Sequence, residues 1–296
     1  MFAAACGDDG GSTTADAPPM KDIGFTKPTA PLKANNEVSD NNWMELGPAN
    51  LACLNTPSDD VATANEIVVN TVVTDFQSGN LVPGMKVTAF ANQDIDSPFG
   101  AEVTSDASTA AVAITIPAGT KRFGYKMVNP EVALDTLLLN QSLDNPTMTP
   151  QEVGDIQSVS TQTAATLPAL IGVSRTAGTG ILAGAVRDCD GNEISNFIAT
   201  VSSTPNTVTH LEGVDTYYFS PSVGLPVRHS QQKASSKDGL FMAIEMQPTP
   251  TAYIQVWGYL NDADVTSDNL TLIAQLQTKV IADVVITGSY EPLRSN

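Results

Sequence analysis

The chain has 296 residues, 42% apolar and only 16% charged, with 14 Lys and Arg against 32 Asp and Glu for a formal net charge of −18. That balance excludes a nucleic-acid partner, because a phosphate backbone needs clustered cations and no run of them occurs. It equally excludes electrostatic docking on anionic lipid, and no stretch approaches the roughly 18 apolar residues of a spanning helix.

The chain opens Met1-Phe2-Ala3-Ala4-Ala5-Cys6-Gly7. Small residues followed by Cys resemble the lipobox of bacterial lipoproteins, where small side chains fit the signal peptidase and the Cys becomes a lipidated N-terminus. The resemblance implies acyl chains on Cys6 and export. With Gly7 rather than Asp after the Cys, it further implies an outer membrane lipoprotein, on either the periplasmic or the cell-surface side. Ala3 stands where Leu is commoner. Only Met1 and Phe2 precede the alanines, where a signal peptide has a basic and an apolar region. From Gly7 to about Asn42 the chain is rich in Asp, Gly, Ser, Thr and Pro and poor in large apolar residues. Such a segment cannot bury enough to offset its chain entropy. Residues 1–60 therefore read as a lipobox remnant and disordered tether, spanning roughly 30–35 Å over its flexible part.

Two later segments share a pattern. Val73-Thr74-Asp75 leads through Gly79-Asn80-Leu81-Val82 into an alternating run to Phe90, and Val186-Arg187-Asp188 leads through Gly191-Asn192-Glu193-Ile194 into a run to Val201. Each is a strand, an Asp that caps its own turn, a Gly that supplies positive φ, and a second strand. Each then carries an acidic turn (Ser105-Asp106, Asp238-Gly239), a strand (112–116, 240–244), a Pro-bearing turn (Pro117-Ala118-Gly119, Gln247-Pro248) and another strand (123–127, 252–257). Strands at this spacing predict β-sandwich modules.

The order of these elements resembles the carboxypeptidase regulatory-like, or transthyretin-like, domain over about 65–128 and 180–290. The first copy has Asp106-Ala107 where the family has Asp-Gly. The second lacks the Pro after Ile194 and carries an insert over about 204–235. The resemblance implies domains that display or space others and are not catalytic. Between the copies, Thr149-Pro150-Gln151-Glu152 has the form of a capping box with Pro at the first helical position. Val153, Ile156, Val159, Thr163 and Leu167 follow at helical spacing until Pro168. Residues 130–143 suit either a helix or a strand, and 278–289 suits a closing strand. The expected fold is all-β: a tether (1–60), two tandem transthyretin-like or immunoglobulin-like sandwich modules (61–145 and 179–296, the second with the long insert), and a helical connecting segment (146–178).

With Cys6 assigned to lipid, Cys53 and Cys189 remain. In an oxidising compartment such a pair is expected to form a disulfide, with two separate thiols as the alternative. Neither a His pair at helical spacing nor Cys-x-x-Cys occurs, so no metal site is expected from His and Cys. The acidic runs at 188–192 and 261–268 offer oxygen ligands but lack the terminal Glu of an EF-hand loop. No glycine-rich phosphate loop is present, and no cofactor is implied. Ser230-Gln231-Gln232-Lys233 matches Ser-x-x-Lys without a helix or the third penicillin-binding motif, and carries no catalytic assignment. Tyr217, Tyr218 and Phe219, in the insert, are the candidate ligand contacts, since loops on a rigid sandwich are where binding lives. The expected function is a lipid-anchored, non-catalytic binding or structural module of the envelope, its partner a membrane through the anchor and an envelope protein or glycan. The alternative is an envelope hydrolase with a site built in the insert around His210 or His229.

Overall fold

The computed structural model describes residues 26–39, 41–211 and 215–295. Cys6 lies outside them. The first described elements are a hairpin, β1 (Lys33–Ser39) and β2 (Asn42–Pro48). Module 1 comprises β3 (Ile67–Asp75), β4 (Lys86–Ala91), β5 (Asp94–Thr104), β6 (Ala111–Ile116), β7 (Arg122–Val128) and β8 (Ala133–Ser142). The connection holds β9 (Gln151–Glu152), β10 (Ile156–Ser160) and helix α1 (Thr161–Leu170). Module 2 comprises β11 (Gly180–Val186), β12 (Glu193–Ser195), β13 (Ile198–Ser202), β14 (Asp215–Ser220), β15 (Leu225–Pro226), β16 (Leu240–Met246), β17 (Thr249–Gly258), α2 (Asp262–Ser267), β18 (Thr271–Val280) and β19 (Val284–Tyr290). The described residues form an all-β fold with two short helices.

The two modules repeat one topology. In module 1, β3 pairs antiparallel with β6 and parallel with β10, while β4 pairs with β7 and β7 with β8. In module 2, β11 pairs antiparallel with β16 and parallel with β19, while β13 pairs with β17 and β17 with β18. The shared Val-x-Asp pattern marks the same turn in each copy: Asp75 accepts the N–H of Ser78 at 3.0 Å and Asp188 those of Asp190 at 3.0 Å and Asn192 at 2.9 Å.

The modules are fused edge to edge. β8 of module 1 pairs in parallel with β19 of module 2 from Asp135↔Val284 to Leu139↔Gly288. One sheet therefore runs β5-β4-β7-β8-β19-β11-β16-β14-β15 through both. Its strands alternate strictly across module 2. Val284, Ile286, Leu182, Tyr218 and Phe241 face one core, closed by the β13-β17-β18 sheet and shared with Phe90, Leu137 and Leu139 of module 1. Val285, Ile181, Tyr217, Phe219 and Met242 face the other way, under Leu167 and Ile171 at the end of α1. A period of two with both faces covered is the signature of a strand buried on both sides. Gly184 permits the core-side packing, because a Cβ there would stand 2.2 Å from the ring of Tyr290.

Three sequence expectations need correction. Residues 33–48 are not tether: β1 pairs with β12, and Leu32, Ala34 and Asn35 are buried. The polar sequence Lys-Ala-Asn-Asn-Glu-Val-Ser becomes a strand because module 2 offers it an edge. The run from Thr149 does not start the connecting helix. Ile156–Ser158 instead take the free edge of β3, pairing with 73–75, so tertiary pairing overrides local propensity. The helix begins only at Thr161, capped by Ser160, whose own N–H is held by Asp75 at 2.8 Å. Finally, 278–289 is not one closing strand but the end of β18, a turn and β19.

Candidate functional site

The junction of the modules holds a cavity of about 520 Å³. Its floor is the shared sheet, where β8, β19 and β11 run side by side in the same direction. On the cavity face these strands carry small side chains: Ala183 and Ala185 on β11, Thr287 and Ser289 on β19. The burial of β11 and β19 follows one pattern, fully buried on the core face and half-buried at these four residues. Central strands with accessible residues mean that the covering layer is interrupted. Phe123 and Tyr125 of module 1 form one wall together with Val153 and Ile156 of the connection, and α1 forms the other, with Ala164, Leu167 and Pro168. Phe76 and Phe219 meet edge to face across the junction at 6.0 Å and also line the cavity.

Polarity is graded along the strands. Toward the N-terminal ends of β11 and β19 the lining is Ile181 and Val285, with Leu138 at mid-strand on β8; at the C-terminal ends it is Arg187, Ser289 and Ser142 with Gln141. Arg187 is engaged by Glu193 at 3.3 Å. Asp144 and Asp155 are exposed and also line the cavity. Tyr125 lies opposite Leu138 in the β7–β8 register. Its hydroxyl is buried without a hydrogen-bond partner among the described residues, and burial raises its pKa well above the usual phenol value.

Cys53 and Cys189 are brought together as a disulfide, with Cα atoms 5.8 Å apart and a sequence separation of 136. The surrounding loop is tied down further: Asp188 accepts the N–H of Asn50 at 3.0 Å, and Asp190 the side-chain amide of Asn50 at 2.9 Å. Both oxygens of Asp188 are thus occupied by amides. In the other acidic run, Asn261 caps α2 and Asp268 accepts the hydroxyl of Tyr259 at 2.7 Å. Among the described residues no group of three or more His, Cys, Asp and Glu is placed to hold a metal ion.

The three insert aromatics are corrected in placement: they form β14, not a contact loop, and are 7%, 0% and 2% exposed. Tyr217 stacks on His229 with centroids 4.4 Å apart. Tyr218 accepts the N–H of Ala199 at 3.0 Å. Only Phe219 lines the cavity. The insert forms a strand because β16 offers it an edge from Asp215↔Ile244 to Tyr218↔Phe241. The histidines do not line the cavity either. His210 accepts the N–H of Val201 on Nδ1 at 3.1 Å, and burial pushes its pKa down to about 4, so the ring is neutral. The cavity was missed by sequence reasoning. Its one signal is the run of small residues Ala183-Gly184-Ala185 facing Thr287-Gly288-Ser289 in two strands that otherwise carry Ile, Leu and Val.

No family model and no curated protein matches the chain. Among solved structures it aligns with the shaft pilin SpaA from Lactobacillus rhamnosus GG at 10% identity and a TM-score of 0.23, covering 79% of this chain and 98% of that one. It also aligns with a streptococcal ancillary pilin at 13% identity and a TM-score of 0.22, covering 77% of this chain and 62% of that one. TM-scores of this size place the chain in no family.

Proposed function

We propose that the chain is a non-catalytic binding or structural module of the bacterial cell envelope, exported and held to the outer membrane by lipid on Cys6. The Cys53–Cys189 disulfide carries the reading. Persistent disulfides belong to oxidising compartments, and this one staples the segment leading from the N-terminus to the turn of the module 2 hairpin. The alanine run before Cys6, Gly7 after it and the Asp- and Gly-rich stretch that follows support the anchor. The fused sheet supports a mechanical role, since it leaves no flexible joint between the modules. An envelope protein or glycan is the partner class.

The test is metabolic labelling of the native host with an alkyne fatty acid, followed by fractionation. The wild-type protein takes up label and sediments with membranes, and Cys6→Ser is unlabelled and soluble. Label retained by Cys6→Ser, or a wild-type protein found in the cytoplasm with free thiols, overturns the reading.

A further inference from the structure

We infer that the cavity between the two modules is a binding site for a small neutral amphiphile, an apolar body bearing one uncharged hydrogen-bonding head such as a hydroxyl. This is independent of the lipid anchor and of the compartment. The volume, about 520 Å³, lies within the roughly 300–1,000 Å³ range of sites for small organic ligands. Small residues on two central strands create it, and the exposed Ser142, Asp144 and Asp155 in its lining mark where it opens to solvent.

Its polarity orients the ligand. The end formed by Ile181, Val285, Leu167 and Phe219 is wholly apolar and takes the hydrocarbon. The opposite end supplies hydroxyls from Ser142 and Ser289 and the amide of Gln141. Charge selects the head group. Among the described residues the one cation lining the site, Arg187, is paired through Nε with Glu193 at 3.3 Å, while Asp144 and Asp155 add two carboxylates to the lining of a protein of net charge −18. A carboxylate or sulfonate head therefore meets two carboxylates against a single cation that it must share with Glu193. A hydroxyl meets none.

The experiment loads the full disulfide-bonded protein with the fluorescent neutral probe N-phenylnaphthylamine and displaces it with decanol or decanoate at neutral pH. The chain length is shared and only the head differs. Decanol is expected to displace the probe at about tenfold lower concentration than decanoate. Ala185→Phe and the milder Ala183→Leu, each placing bulk on the floor, are expected to weaken probe binding by about tenfold or more while retaining a cooperative melt. Met44→Ser, on the exposed face of the hairpin, is expected to change nothing. Failure of the wild-type protein to bind the probe, equal potency of decanoate, or binding that survives both floor substitutions overturns the inference. So does loss of the signal in Met44→Ser, which would place the probe on the surface.

Discussion

Ile286 of β19 lies directly opposite Leu137 of β8 in the parallel ladder that joins module 2 to module 1, and both side chains enter the same core. The modules are thus one cooperative unit rather than beads on a linker. Ile286→Ala, at a site 1% exposed, is expected to cost about 2–5 kcal/mol. Near- and far-ultraviolet circular dichroism should fall together in a single thermal transition, both in the wild type and in the variant. Two separated transitions would mean that the ladder does not couple the modules.

The disulfide closes a loop across 136 residues of sequence. In the chain-entropy account this restricts the unfolded state by up to about 5 kcal/mol. The double variant Cys53→Ser with Cys189→Ser should therefore unfold at clearly lower denaturant than the oxidised wild type. Reduced wild type should match the variant, which isolates the bond from the side-chain change.

Asp238 sits in the turn before β16, 3% exposed, with Leu240 donating its N–H at 3.1 Å. Burial, with a contribution from nearby Glu193, raises its pKa to about 7. The folded state thus favours the protonated form. The stability it contributes is full below the ordinary value near 3.8 and is lost as pH rises through about 7. Asp238→Asn should abolish this part of the pH dependence and raise the melting temperature at pH 8 relative to wild type.

His210 gives the opposite sign. Its folded pKa, about 4, is below the ordinary 6.5 because burial disfavours the cation. Stability from this residue is present above pH 6.5 and falls as pH drops toward 4. His210→Gln should flatten the melting temperature across that window, and an unchanged slope would show that the ring protonates freely in the fold.

Asp75 anchors the connection. It accepts N–H groups from Ser78 and Ser160 and the hydroxyl of Thr163, the last two at the start of α1. Burial works to raise its pKa, but these donors outweigh it and the net shift is downward. Asp75→Ala leaves buried donors unpaired and should cost about 2–4 kcal/mol. Because α1 forms a wall of the cavity, the same variant should loosen probe binding there.

Much of the fold was legible in the sequence because local chemistry and tertiary pairing agreed. The Val-x-Asp turns at Asp75 and Asp188 mark equivalent hairpins, and the alternating runs at 112–116, 123–127, 240–244 and 252–257 all lie in strands. What was missed depends on edges supplied from afar. The hairpin at 33–48 has a loop-like composition and is ordered by β12, and 156–158 has helical spacing but is claimed by β3. Tyr217–Phe219 carries strand-forming residues but sits in an insert outside the repeated pattern, and its partner β16 lies more than twenty residues on. The cavity was least legible. It arises where an edge of one module meets an edge of the other, and no periodicity within either copy encodes that meeting.

Export, the lipid on Cys6 and the closed disulfide are read together in the intact mass of the protein extracted without reductant from native membranes. The expected species begins at Cys6, heavier by its acyl groups and lighter by the hydrogens lost in joining Cys53 to Cys189. An unmodified chain beginning at Met1 with both thiols titratable, recovered from the soluble fraction, would contradict it.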